Sequence, residues 1–278
     1  MKPSTDPRSG GPADSAQAPA AARLIFITGA SGGIGQALAL RFYQAGYVLA
    51  LVARRGDLLE RWARETGLQA HRWRVYEADV AHVDSIVAAG RACIEHQGVP
   101  DVVVANAGIS VGMDTAERAD IDVMARLFAV NNIGMAATFH PFVAAMRQRG
   151  SGVLVGIGSV NGIRGFPGHG AYCASKAAVI GYCESLRGEL RASGVQVVTL
   201  CPGYVDTPLT QGNRYAMPFL MPAARFADQA LRVIEAGVSY VVIPWQMGIV
   251  AKLLRLLPNR VFDALFAGRP RKRRVDER

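Results

Sequence analysis

The sequence has little of what would take it out of the ordinary globular class. Its four cysteines, Cys93, Cys173, Cys183 and Cys201, stand at no spacing that suggests a pair or a metal clip. Buried thiols in a reducing, cytoplasmic compartment are therefore expected. The five histidines, at 71, 82, 96, 140 and 169, form no close ligand group, and no metal is expected. No run of eighteen apolar residues occurs, which argues against a spanning helix. A secretory leader is not expected either, because the apolar stretch LIFIT is short, lacks a small-residue cleavage pattern and leads straight into glycines. Residues 1–22 are rich in Pro, Ser, Gly and Ala, contain no apolar run and read as a disordered tail.

Acidic residues are also in short supply. The formal net charge is +9, and the surplus is uneven, with six basic and two acidic residues in 269–278. Such a basic tail suits anionic lipid or nucleic acid, but a solvated terminus is the expectation and no nucleic-acid partner is predicted.

What is present is a repeating alternation of apolar runs and helical patterns over 23–247, in a chain that is 50% hydrophobic. LIFIT (24–28), YVLALVA (47–53), HRWRVYEAD (71–79), DVVVANAG (101–108), GVLVGIGS (152–159), VQVVTLCPG (195–203) and SYVVIP (239–244) read as strands. Helical spacing fills the intervals, including one long helix over 121–150, bent near Pro141. Continuous apolar strands alternating with helices predict an α/β, doubly wound parallel sheet with helices on both faces. In such a sheet ligands bind outside the carboxyl ends of the strands.

The first of those ends carries Gly29-Ala30-Ser31-Gly32-Gly33-Ile34-Gly35. Glycines between a strand and a helix let a pyrophosphate approach the helix amides, so Gly29, Ser31, Gly32, Gly33, Ile34 and Gly35 are candidate cofactor contacts. The second strand ends in Ala53-Arg54-Arg55 rather than in an acid. A carboxylate there accepts hydrogen bonds from ribose hydroxyls, whereas guanidinium groups bind a ribose phosphate, so NADP(H) is expected over NAD(H). Asp79, followed by Val80, ends the third strand, where its carboxylate suits an adenine amino group or, equally, a helix cap.

Further along, Tyr172 and Lys176 are one helical turn apart, with Ser159 thirteen residues before the tyrosine. A free phenol titrates near 10, and a neighbouring ammonium is expected to bring that value down.

Taken in order, TGASGGIG at 28–35, Asp79-Val80, Asn106-Ala107-Gly108, Asn131, Ser159, Tyr172-xxx-Lys176 and Pro202-Gly203 resemble the short-chain dehydrogenase/reductase superfamily over about residues 23–245. The resemblance implies a Rossmann-like fold. It implies that Asn106, Ala107 and Gly108 shape the fourth strand's end beside the cofactor, and that Pro202, Gly203, Val205 and Thr207 lie beside the nicotinamide. Ser159 is expected to hold the substrate oxygen, Tyr172 to exchange its proton, and Lys176 to lower the phenol pKa while gripping the nicotinamide ribose. Asn131, with Asn132 as the competing assignment, is expected to help seat a water that relays protons to Lys176. Homodimers or homotetramers through the helices near 121–146 and 172–192 are implied as well.

Substrate choice is expected from 160–171, from the loop 204–221 and from the C-terminal region. Ile163, Phe166, Pro167, Tyr204, Met217, Phe219, Leu220 and Met221 suggest an apolar pocket for a lipophilic ketone or alcohol of long-chain acyl, sphingoid or steroid type, with polyols and small ketones as the alternatives. Beyond it, 248–268 interleaves leucines with basic residues and reads as an amphipathic extension that docks on the domain, pairs subunits or touches a membrane together with 269–278. Two rival readings are a cofactor-binding scaffold without turnover and a sugar-nucleotide epimerase or dehydratase. The unbroken Ser, Tyr and Lys set opposes the first. The short stretch between Pro202 and Pro244 opposes the second.

Overall fold

The computed structural model describes residues 22–213, 215–268 and 270–274. Most of the tail read as disordered, Arg269 and residues 275–278 lie outside the described residues. LIFIT forms β1 (Leu24–Thr28), with all five residues buried. Burial on both faces is why this run shows no polar alternation. The remaining elements are α1 (Gly33–Gln44), β2 (Val48–Ala53), α2 (Gly56–Glu65), β3 (Trp73–Glu77), α3 (Val83–Gln97), β4 (Val102–Ala105), α4 (Arg118–Phe128), α5 (Gly134–Arg149), β5 (Gly152–Ile157) and α6 (Gly170–Leu190). They are followed by β6 (Val195–Pro202), β7 (Val205–Asp206), α7 (Pro208–Gln211), β8 (Met221–Pro222), α8 (Ala223–Glu235), β9 (Tyr240–Ile243), α9 (Trp245–Leu256) and α10 (Asn259–Phe266).

Seven strands pair in parallel in the order β3-β2-β1-β4-β5-β6-β9, the doubly wound, Rossmann-like arrangement expected from the strand pattern. The winding reverses between β1 and β4, so their carboxyl ends diverge and leave a crevice there. One face of the sheet buries Leu38, Phe42, Leu59 and Phe226 beneath α1, α2 and α8. The other buries Phe26, Phe142, Met146 and Val179 beneath α3, α5 and α6, with the Phe26 and Phe142 rings 4.9 Å apart.

Two stretches differ from expectation. The single helix over 121–150 is instead α4 and α5 joined through a π-helical turn, Ala129–Ile133, while Pro141 is accommodated inside α5. The wide turn is tied to a side chain drawn out of it, because Asn131 hydrogen-bonds the Ile109 backbone in both directions. The basic segment expected to be solvated is, over 270–274, laid against the domain. Arg273 accepts a backbone hydrogen bond from Gly112 (3.0 Å), and Arg274 pairs with the buried Asp120 at 2.7 Å.

Candidate active site

The crevice between β1 and β4 opens into a cleft of about 510 Å³ lined by residues from 29–34, 52–55, 78–81 and 106–109, and bounded by Ser159, Tyr172, Lys176 and 202–210. Gly29 makes it possible. Its φ of +65° is a left-handed conformation, and a Cβ there would come within 2.8 Å of the Ala107 backbone. Thr28 and Asn106 fix the opposing walls: Thr28 Oγ1 accepts from the N–H groups of Asn106 and Ala107, each at 3.1 Å, and Asn106 Nδ2 donates to the carbonyls of Thr28 and Gly29. The start of α1 has no side-chain cap and no acid in its first turn. The Gly35 N–H turns back to the Gly32 carbonyl at 3.1 Å, which leaves the Gly33 and Ile34 amides for an anion, and such a helix start in a glycine-lined cleft fits the pyrophosphate of a dinucleotide.

Arg54 and Arg55 are exposed at the same cleft, and neither forms an ion pair among the described residues. The sequence reading missed Glu77. It stands beside Ala53 in the sheet register, and its carboxylate accepts the Gly56 N–H at 3.3 Å, occupying the start of α2. Asp79 lines the cleft while its Oδ1 accepts the Ala81 N–H at 3.0 Å, so one oxygen already serves as a local cap. Val80 is buried behind it, its carbonyl against Gly134. Pro202, Gly203, Val205 and Thr207 edge the far side, where the Thr207 side chain packs near Gly33.

Ser159, Tyr172 and Lys176 come together where the cleft meets α6. Ser159, two residues after the end of β5, accepts the Asn161 N–H on Oγ (3.1 Å), and Tyr172 and Lys176 project from the first turns of α6. Lys176 is buried and donates from Nζ to the Ile157 carbonyl at 2.7 Å. Asn131 is 2% exposed, and both of its amide protons are committed, one to the Ile109 carbonyl at 3.1 Å and one to Ser175 Oγ at 3.0 Å. The side chain thus binds the β4–α4 loop to α6. Ser175 Oγ donates in turn to the Tyr172 carbonyl at 2.8 Å. Ser175 was not singled out from sequence, where a small residue beside a lysine carries no signal. Asn132, the competing assignment, donates to the Ser175 carbonyl at 2.8 Å.

The electrostatics of the pair correct one expectation. Lys176 does not bring the phenol down. Burial pushes Tyr172 up to about 12, and the neighbouring Ser159 hydroxyl is what pulls the other way. The lysine is itself lowered to about 8 by burial, so the charge meant to favour a phenolate is discouraged by the same desolvation.

Beside Ser159 and Tyr172, a second cavity of about 750 Å³ runs away from the cleft. Its walls are largely apolar: Phe166, Pro167, Tyr204 and Tyr215 on one side, Met247, Val250, Ala251 and Leu254 of α9 and Leu265 and Phe266 of α10 on the other. Of the eight residues suggested for an apolar pocket, only Phe166, Pro167 and Tyr204 line it. Met221 is instead in the core, and Phe219 and Leu220 are 50% and 45% exposed. These positions depend on how 204–221 folds, here as the β7–β8 pair with α7 between, which the loop composition did not reveal.

Pro270 lines this cavity and begins a strap, residues 270–274, that is tied to Gly112 and Asp120. Lys272 Nζ donates to the Leu209 carbonyl at 3.0 Å and to Asn213 Oδ1 at 2.6 Å. Gly112 has no room for a Cβ because the Lys272 carbonyl lies there. Arg274 ends the described strap on Asp120, whose carboxyl is held below its ordinary range by that hydrogen bond and by the Asp114 N–H.

The family model for short chain dehydrogenases matches residues 23–217. An uncharacterised oxidoreductase of Myxococcus xanthus is 36% identical over 242 residues, or 87% of this chain and 95% of the relative. Among solved structures, a 3-ketoacyl-(acyl-carrier-protein) reductase from Brucella melitensis complexed with NADH is 25% identical with a TM-score of 0.73, over 80% of this chain and 96% of that one. An alcohol dehydrogenase from Thermococcus sibiricus complexed with 5-hydroxy-NADP is 28% identical with a TM-score of 0.71, over 80% and 95%.

Proposed function

On the premise that the chain belongs to the short-chain dehydrogenase family and is an oxidoreductase of that type, we propose that it is an NADP(H)-dependent reductase of apolar ketones or aldehydes, with Tyr172 as the proton donor. The observation that carries this reading is the junction of the two cavities. Ser159 and Tyr172 line the glycine-walled cleft, and their neighbours Val160 and His169 line the apolar cavity. A carbonyl placed at that junction meets the nucleotide side and the apolar side at once.

The bound nucleotide supplies the hydride. Ser159 Oγ holds the carbonyl oxygen, and the Tyr172 hydroxyl gives it a proton as charge develops there. The Tyr172 phenol, pushed up by burial, is protonated at neutrality and so carries the proton that the carbonyl oxygen needs. Lys176 lines the cleft with its Nζ close to Gly108, a pairing that supports a nucleotide contact near the reacting carbon. Arg54 and Arg55 support the phosphorylated cofactor, because Glu77 is already engaged with Gly56 and leaves the guanidinium groups available to a ribose phosphate.

The test is consumption of NADPH and NADH by the purified protein with a panel of aliphatic and aromatic ketones, repeated with Tyr172→Phe. Turnover with NADPH that the phenylalanine variant loses is the expected result. Unchanged turnover in that variant would refute the proton-donor role.

The C-terminal helices support a membrane contact as a second feature of this reading. Trp245, Ile249, Leu253 and Leu256 are 66%, 50%, 60% and 79% exposed along α9, with Lys252 and Arg255 exposed between them. An apolar stripe bordered by cations suits an anionic bilayer surface. Sedimentation with phosphatidylserine vesicles, lost on Leu253→Glu with Leu256→Glu, is expected. Equal recovery of both proteins in the pellet would rule the contact out. Among the described residues no helix is long and apolar enough to cross a membrane.

A further inference from the structure

His169 precedes α6 by one residue and stands three residues before Tyr172. It is only 6% exposed, yet its Nδ1 is buried with no hydrogen-bond partner among the described residues. A buried polar atom without a partner costs about 1–3 kcal/mol, so its retention calls for an explanation. Packing does not give one. The backbone of His169 is fully used, accepting from the Cys173 N–H at 2.9 Å and donating to the Phe166 carbonyl at 3.1 Å, whereas the imidazole faces the apolar cavity. It meets the Tyr172 ring edge to face at 6.5 Å between centroids and the Tyr215 ring at 5.8 Å. A phenylalanine makes the same ring contacts without leaving a polar atom unpaired. The imidazole is also kept neutral: burial, and then the Lys272 charge, lower it to about 4. A neutral ring offers one N–H and one lone pair and carries no charge into the cavity.

We propose that His169 is a specificity contact for a second oxygen function of the substrate, so that the preferred substrate is an apolar ketone bearing a hydroxyl group a few bonds from the reacting carbonyl. A hydroxyl is the matching group because it pairs with Nδ1 in either tautomer, giving a hydrogen bond to a lone pair or accepting one from an N–H. The spacing follows from the two rings, since one molecule must reach the Tyr172 hydroxyl and His169 together. The largely apolar walls set the remainder of the molecule as hydrocarbon. This inference rests on the reductase reading above and narrows its substrate class.

The experiment compares a plain aliphatic methyl ketone with its α-, β- and γ-hydroxy counterparts, using NADPH oxidation by the full-length protein and its His169→Leu and His169→Asn variants. One hydroxylated position is expected to raise kcat/KM over the plain ketone by roughly ten- to a hundredfold in the unaltered protein, mainly through KM. In His169→Leu that ratio falls to about one, and His169→Asn, which keeps a hydrogen-bonding group near the Nδ1 position, recovers part of it. NADPH fluorescence enhancement on binding reports that each variant is folded. Should the leucine variant not fold, His169→Phe takes its place.

A ratio near one for every hydroxyketone in the unaltered protein overturns the proposal, as does a preference that survives His169→Leu or His169→Phe. Neither result touches the reductase reading, which fails only if ketones are not turned over at all or if Tyr172→Phe leaves turnover intact.

Discussion

The glycine-walled cleft and the apolar cavity adjoin where Ser159 and Tyr172 of one neighbour Val160 and His169 of the other, but they are built differently. The cleft is made largely of backbone: the Gly29 turn, the uncapped start of α1, and strand ends tied together by Thr28 and Asn106. Its Thr28 and Asn106 side chains are committed to that backbone. The cavity is made of side chains from segments far apart in sequence, with Phe166, Tyr204, Tyr215, Leu254 and Phe266 among them, and it holds an imidazole nitrogen with no partner among the described residues. A backbone-built site serves a ligand that does not vary, whereas a side-chain-built site is where a ligand is chosen.

Breaking the junction between them has the largest expected effect. Tyr172→Phe removes the donor without altering either wall, so kcat for ketone reduction should drop by about 10²–10⁴-fold while NADPH affinity, read by fluorescence titration, stays within about twofold. Retained kcat would place the chemistry elsewhere.

Acid distinguishes the two sites next. His169 takes up a proton near pH 6.5 in the unfolded chain but only near 4 when folded, so the unfolded state binds more protons within that window. The stability present above pH 6.5 is therefore lost as the pH falls toward 4, by up to about 3 kcal/mol. Urea unfolding at pH 7, 5.5 and 4.5 should show a decline that is shallower in His169→Asn. The charged group facing the ring is Lys272, from the strap, and Tyr172, Tyr204 and Tyr215 surround it as neutral phenols.

On the cleft side, Arg54→Ala should weaken NADPH by roughly tenfold and NADH hardly at all, as steady-state KM values would report. Equal losses would remove the phosphate contact.

The smallest effect is expected on the cavity side. Asp120→Asn removes the charge that holds Arg274 and should raise the ketone KM a few-fold, with a smaller rise in the NADPH KM through the Lys272 to Leu209 contact that the strap makes beside the cleft. Acidification through the depressed Asp120 pKa should act in the same direction, because that contact is present while the carboxylate is ionised and lost as it protonates.

Legibility in the sequence follows the same division. Glycines at 29, 33 and 35 and the Tyr172 to Lys176 spacing mark a site whose form is set by local geometry, so strand ends and turn were readable without the fold. Ser175 and Glu77 were not, because each acts through a partner more than twenty residues away, Asn131 and Gly56 respectively. The direction of the Tyr172 shift was misread because spacing reports proximity to Lys176 and says nothing of desolvation. His169 was visible only as one more isolated histidine. The strap was read as a solvated terminus because charge count does not reveal that Asp120 is buried and waiting for Arg274.

Helix α7 is only four residues long, yet it belongs to both sites. Leu209 and Thr210 line the cofactor cleft, while the Leu209 carbonyl receives the Lys272 ammonium from the strap. Nucleotide binding and strap docking therefore share a mechanical part, and free energy spent on ordering it for one is available to the other. Reciprocity then applies: any factor by which the nucleotide favours the docked strap is the factor by which the docked strap tightens the nucleotide.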